Sequence, residues 1–218
     1  MLTTGVDTFV GTDKNELITG TTSTLVAKNT LNQKDVIDGG EGSDIFKLNM
    51  ESNNSAFTDG SIKNVEKIEL TNDTVITRTF DAKNVTGATE YNINSAKGVN
   101  LTNLESTGIK VSQEGTQSNT SITYVSTLDL TGTTDAATLA FKDVGAAKTD
   151  SSTGFNQKTT LAKIEALSIE SNGTANFVDL TNVDAATSVT VTGAADLTVS
   201  NVGKKLTSSL IERISSTL

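Results

Sequence analysis

Cysteine, proline, histidine and tryptophan are all missing from this chain of 218 residues. Without cysteine there is no disulfide, no thiolate metal site and no cysteine nucleophile. Without histidine the commonest general base and the commonest zinc ligand are gone. Aromatic residues make up only 4%. That is thin for a two-layer globular core, but workable for a solenoid, where each coil buries a few Val, Ile and Leu against its neighbours. Arginine occurs only at Arg78 and Arg213, and the net charge is −9, which argues against nucleic acid as a partner because that needs basic patches. No apolar run approaches the ~20 residues of a transmembrane helix. The N-terminus has no signal-peptide pattern, so an export signal is expected elsewhere, or the chain is a fragment of a longer protein.

What is present points one way. Thr is the commonest residue, and Asn, Ser, Gly and Asp are frequent. Thr favours strands, and Gly, Asn and Asp favour turns, so many short strands and many turns are expected. An acidic chain with little arginine suits hard cations held by oxygen ligands. The most informative stretch is Gly39-Gly40-Glu41-Gly42-Ser43-Asp44-Ile45-Phe46-Lys47. It fits the nonapeptide G-G-x-G-x-D-x-U-x at every fixed position, with Phe46 as the large apolar U, and that nonapeptide is a calcium-binding β-roll repeat.

The register extends backwards. Asp35 stands one nonapeptide before Asp44, and Asp7 and Glu16 keep the same spacing, so that Phe9, Ile18, Ile37 and Phe46 all occupy U positions. Four strands are predicted at Thr8–Val10, Leu17–Thr19, Val36–Asp38 and Ile45–Lys47. Two nonapeptides make one coil, so loops Gly11–Glu16 and Gly39–Asp44 are expected on the same edge, one coil apart. Calcium prefers six to eight oxygens, and a glycine-rich turn lets carbonyls point inward. The expected ligands are Asp44 with carbonyls near Gly39 and Glu41, and Glu16 or Asp13 with the carbonyl of Gly11. Asp38 is a candidate extra ligand. On the opposite edge Asp35, with Asp7, is a candidate second site. The alternative reading of Gly39–Asp44 is a plain tight turn closed by Asp44. The segment Gly20–Lys34 is longer than the repeat allows, and is expected to bulge out with its own strand around Leu25-Val26-Ala27. Residues 49–60 read as a mobile polar connection.

From Ser61 the pattern loosens. Ile62 to Leu70, containing Asn64-Val65-Glu66, is echoed at Leu101–Ile109 and at Leu161–Ile169, and Asp81–Thr89 is echoed at Asp179–Thr187. A period near one hundred implies several coils per repeat. Val65, Leu104 and Ile164 are expected in the core, with the neighbouring carboxylates either solvated or forming a cation ladder. Further strands are expected at Leu128–Leu130, Leu139–Phe141, Val189–Thr192 and Leu197–Ser200, with a polar loop at 145–160. Leu206, Leu210, Ile211 and Ile214 have helical spacing, which predicts a short capping helix.

The blocks 5–20, 35–48 and 64–70 resemble the RTX-repeat surface-layer proteins of Gram-negative bacteria, which leave the cell by type I secretion. The resemblance implies an extracellular, Ca²⁺-stabilised parallel β-solenoid that assembles laterally with itself on the cell surface. It also implies attachment to lipopolysaccharide through a region not present here. The expected architecture is therefore all-β, a parallel β-solenoid. Residues 1–48 are expected to form β-roll coils, 61–205 a longer β-helix with loose repeats, and 206–218 a C-terminal cap, either as distinct parts or as one continuous domain. The expected role is structural and non-enzymatic, as a Ca²⁺-binding surface-layer domain. A glycan- or host-binding adhesin segment is the alternative, and a calcium-dependent polysaccharide lyase a remote one.

Overall fold

The computed structural model describes residues 1–147, 157–180 and 182–199. Among them are eighteen strands and no helix. The first coil holds β1 (Thr8–Val10) and β2 (Leu17–Thr22), and the second β3 (Val36–Asp38) and β4 (Ile45–Met50). There follow β5 (Ser61–Lys63), β6 (Lys67–Thr71), β7 (Arg78–Asp81), β8 (Val85–Thr86), β9 (Glu90–Asn94) and β10 (Val99–Leu104). The remainder are β11 (Lys110–Glu114), β12 (Thr120–Tyr124), β13 (Ala136–Lys142), β14 (Gln157–Leu161), β15 (Ala166–Asn172), β16 (Asn176–Asp179), β17 (Ser188–Thr192) and β18 (Leu197–Val199).

The strands stack into three parallel sheets. One wall is an eight-stranded sheet, β2-β4-β6-β9-β11-β13-β15-β17. A four-stranded sheet, β1-β3-β5-β8, precedes it in the early coils, and a six-stranded sheet, β7-β10-β12-β14-β16-β18, follows it in the later ones. Every strand pairs with one a full coil away, which is the defining geometry of a parallel β-solenoid.

Alternation explains which side chains go inside. In β4, Phe46, Leu48 and Met50 are buried while Lys47 and Asn49 face outward. Register then lines up a continuous core column, Ile18–Phe46–Ile68–Tyr91–Val111–Leu139–Ile169–Val191, along the whole eight-stranded sheet. On its outer face the same sheet carries Lys–Glu pairs: Lys47–Glu69 at 2.9 Å, Lys110–Glu170 at 2.6 Å and Lys142–Glu114 at 2.6 Å. At the N-terminal end Leu2 is buried, and its N–H bonds Thr19 O at 2.8 Å, closing the first coil.

The loose repeat is a corner. At each of its three copies the third residue has positive φ: Asn64 (50°), Asn103 (58°) and Lys163 (64°). The next residue, Val65, Leu104 or Ile164, is fully buried. Asn84 (65°) with Val85 and Asp143 (57°) with Val144 repeat the device. A left-handed residue turns the chain sharply so that its successor points inward, and Asn tolerates that conformation better than most. The period near one hundred is four coils, because Glu66 and Glu165 precede β6 and β15, four steps apart in the eight-stranded sheet.

Several local expectations are corrected. Leu25-Val26-Ala27 is a turn, not a strand: the N–H groups of Lys28 and Asn29 both bond Leu25 O, and Val26 is 83% exposed. Without a neighbouring strand to pair with, its apolar run has nothing to pack on. Residues 49–60 are not a free polar connection. They carry the end of β4, the buried Phe57 and the buried Asn54, which bridges to Phe80. Leu128–Leu130 is irregular, since Leu128 N–H closes a turn on Val125 O. Of the loop at 145–160, Gln157–Thr160 belong to β14, and 148–156 lie outside the described residues. Ser200 and the capping helix expected at 206–218 lie outside them too.

Candidate metal centre at the stacked glycine turns

The turns Gly11–Glu16 and Gly39–Asp44 lie on one edge, a coil apart. The N–H of Gly11 bonds Asp38 O at 2.7 Å, and that of Glu41 bonds Thr12 O at 2.8 Å. The upper turn needs glycine for two reasons. Gly40 and Gly42 have φ of 95° and 113°, where a side chain is strained. Gly39 is instead a matter of space: a Cβ there would sit 1.9 Å from Asn64 O and 2.5 Å from Asp44 Oδ2. The lower turn departs from this backbone, because Thr12, Lys14 and Asn15 have no positive φ.

Asp44 is fully buried. Its Oδ1 accepts the Glu16 N–H at 2.6 Å, and its own N–H donates to Glu66 Oε2 at 2.7 Å. Glu16, Asp44 and Glu66 therefore form a column in which the Asp44 and Glu66 carboxylates each cap the N–H of the acidic residue one coil below. Asp44 Oδ2 is buried with no hydrogen-bond partner among the described residues. It and the Asn64 carbonyl flank the same side of Gly39. Burial pushes the Asp44 carboxyl above the usual carboxylate range. The Glu16 N–H opposes this, and the Glu16 and Glu66 carboxylates add to it.

The other candidate residues are placed differently. Glu16 folds back on Thr12, accepting its O–H at 2.5 Å and its N–H at 3.3 Å, and the Thr12 hydroxyl holds its carboxyl below the usual range. Gly11 packs directly under Gly39 O and beside Glu16 Oε2, with no room for a Cβ. Asp38 Oδ1 accepts the Gly40 N–H at 3.2 Å and the Asn64 amide at 2.8 Å. Asp13 and Glu41 are exposed at the turn surface.

Asp35, on the opposite edge, uses the same device as Asp44. Its Oδ1 accepts the Asp7 N–H at 2.9 Å, 28 residues back, the separation that also links Asp44 and Glu16. Its Oδ2, however, accepts the Asn32 N–H at 2.7 Å, so both oxygens are engaged. Burial raises its carboxyl as well, against those two N–H groups. Asp7 caps Thr3 through both carboxylate oxygens. This edge is thus closed by hydrogen bonds.

Among the described residues no group of three or more acidic side chains is gathered for a metal ion. A cation at the upper turn would be held by Asp44 and main-chain carbonyls, an all-oxygen set of the kind calcium accepts. The orphaned Oδ2 fits such an ion, since a buried carboxylate oxygen without a donor is costly unless a positive charge meets it.

The cross-coil role of the N-V-E glutamate is a residue function that the sequence reading missed. Glu66 caps Asp44, and Glu165 Oε2 accepts the Asp135 N–H at 3.1 Å in the third copy, whereas Glu105 in the second is exposed. Its signal was the recurrence of Glu directly after a corner. No family model matches the chain, and no curated protein or solved structure matches it either.

Proposed function

We propose that this chain is a non-enzymatic, Ca²⁺-binding structural module of an extracellular surface layer, assembling laterally with copies of itself. The observation that carries the reading is the contrast between Asp35 and Asp44. The two carboxylates stand one nonapeptide apart and cap the coil below in the same way, yet only Asp44 keeps a buried oxygen without a donor. A calcium ion at that oxygen neutralises the column Glu16–Asp44–Glu66, ties the first two coils to the corner at Asn64, and stiffens the exposed turn. Metal binding that requires a preformed site adds its free energy to folding. The net charge of −9 favours the same role, because divalent cations screen the repulsion between acidic copies. Resemblance of the blocks 5–20, 35–48 and 64–70 to RTX surface-layer proteins supports the surface location, type I secretion and self-assembly.

Electron microscopy and light scattering of the purified chain in millimolar Ca²⁺ and in EGTA test the proposal. Ordered sheets or large assemblies in calcium, reverting in EGTA, are expected. A monomer of identical size and melting temperature in both conditions would refute it.

A further inference from the structure

On the edge opposite the glycine turns, the turn-forming insertion 20–34 and the segment 49–60, with Val6, line an open cleft of about 440 Å³. Beyond Thr22 and Met50 neither segment takes part in the β1–β3 and β2–β4 pairing that stacks the first coils. We propose that this cleft binds an uncharged, hydroxyl-rich ligand, a neutral saccharide unit.

The lining is almost entirely amide and hydroxyl. Asn29, Asn32, Gln33, Asn53, Asn54 and Ser55 all contribute to it. Its one charged residue, Lys34, pairs with Asp59 at 3.5 Å, so the cleft offers no net charge to an ion. Its apolar lining is confined to Leu31 and the exposed Val6, too little for a lipid or an aromatic ligand but enough for the C–H face of a sugar ring.

Part of the wall is braced in advance. Asn29 Oδ1 accepts the Ser23 N–H at 3.0 Å, while Asn29 Nδ2 donates to Leu31 O at 3.1 Å and to Asn32 Oδ1 at 3.3 Å. Asn32 Nδ2 donates to Gly5 O at 2.6 Å. Other groups keep capacity for a ligand. Among the described residues Asn53 engages only its Oδ1, on Thr79 N–H, and Gln33 engages only its Oε1, on the Thr58 hydroxyl. Asn54 is 8% exposed, and among the same residues only its Nδ2 is engaged, on Asp81 O at 3.4 Å. The Ser55 hydroxyl has no protein partner among the described residues. Amide donors beside amide and hydroxyl acceptors are the complement of adjacent sugar hydroxyls, each of which both donates and accepts. A volume in the range of ordinary ligand sites suits one or two such units. A site that reads hydroxyls by paired amides discriminates strongly against analogues that lack them.

The test is amide chemical-shift mapping by NMR during titration with methyl glycosides of glucose, galactose, mannose, rhamnose and N-acetylglucosamine, with glucuronic acid as the charged comparison. Saturable shifts confined to residues 22–34 and 52–55 with at least one neutral glycoside are expected. Ser55→Trp, at an exposed position without a protein hydrogen bond, should fill the cleft and weaken binding at least about tenfold, a change of about 1.4 kcal/mol. Gln33→Ala, also exposed, should weaken it severalfold and serves as the second variant if Ser55→Trp misfolds. Binding should survive EGTA and Asp44→Asn, which separates this site from the calcium reading. Absence of saturable shifts with every neutral glycoside overturns the proposal. So does tighter binding of glucuronic acid, or undiminished affinity in a folded Ser55→Trp variant.

Discussion

Replacing Asp44 by Asn removes the charge and leaves the shape. In calcium-free buffer near neutral pH the variant keeps an acceptor for the Glu16 N–H, now 2.6 Å from Asp44 Oδ1. Exchanging a charge-assisted bond for a neutral one costs about 1 kcal/mol. Against this, the variant removes a buried charged oxygen that has no donor, a penalty of about 1–3 kcal/mol. The carboxyl is raised above its ordinary range by burial first, so folding works against the charge that Asn removes. The variant should therefore melt at or above the wild type in EGTA. Calcium at a hundredfold excess over its Kd adds about 2.7 kcal/mol to the wild type alone, which raises its melting temperature by about 5–10 °C for a chain of this size and is enough to offset the variant's advantage and reverse the order.

The dependence on pH follows with a definite sign. A native carboxyl raised above its unfolded value binds its proton first as pH falls. The wild type thus gains stability as pH drops from the raised native value toward the ordinary aspartate range near about 3.9, and loses it as pH rises. Asp44→Asn lacks this contribution, so its advantage in EGTA should shrink on acidification. Calorimetric melts of both proteins, with EGTA or Ca²⁺, across that pH window decide the matter. A variant several degrees less stable than the wild type in EGTA would show that the carboxylate is well solvated by donors. An equal calcium response in both proteins would place the ion elsewhere.

Three further outcomes are expected. Gly39→Ala drives a Cβ to 1.9 Å from the Asn64 carbonyl, and because the obstacle is backbone it should cost about 1–3 kcal/mol or more in urea unfolding, with or without calcium. Asp35→Asn should cost about 1–3 kcal/mol, since an amide cannot accept both the Asp7 and the Asn32 N–H; stability equal to the wild type would show that one of those bonds is dispensable. Phe46→Ala opens the core column between Ile18 and Ile68 and should cost about 3–5 kcal/mol, with hydrogen exchange accelerated in β2, β4 and β6 before the later coils.

The parallel solenoid was legible because its cause is local and repeated. A nonapeptide period fixes which residues alternate inward, and Phe9, Ile18, Ile37 and Phe46 could be named as core-facing from spacing alone. Three of those four are buried and Phe9 packs against them. The stacking of the two glycine turns followed from counting two nonapeptides to a coil. The strand ends were less legible: β2 and β4 run three residues past their expected limits because the next coil offers backbone partners as far as Thr22 and Met50. Apolar runs without such a partner, at Leu25–Ala27 and Leu128–Leu130, formed no strand at all.

The sequence by itself determined the repeat, the inward face, the edge on which Asp44 lies and the absence of any chemistry based on cysteine or histidine from this chain. These are properties of residue type and period, and the chain carries them wherever it folds. Only the tertiary structure decided what each carboxylate meets. Asp35 and Asp44 are equivalent in the repeat, but the Asn32 N–H reaches the second carboxylate oxygen of Asp35, whereas no donor among the described residues reaches that of Asp44. That difference comes from the insertion 20–34, whose path around the coil follows no period. The same irregular segment, folded against 49–60, makes a cleft from residues that the repeat leaves unassigned. Periodic sequence sets the frame through repeated burial, whereas the polar environment of a single oxygen depends on which non-repeating loop packs beside it.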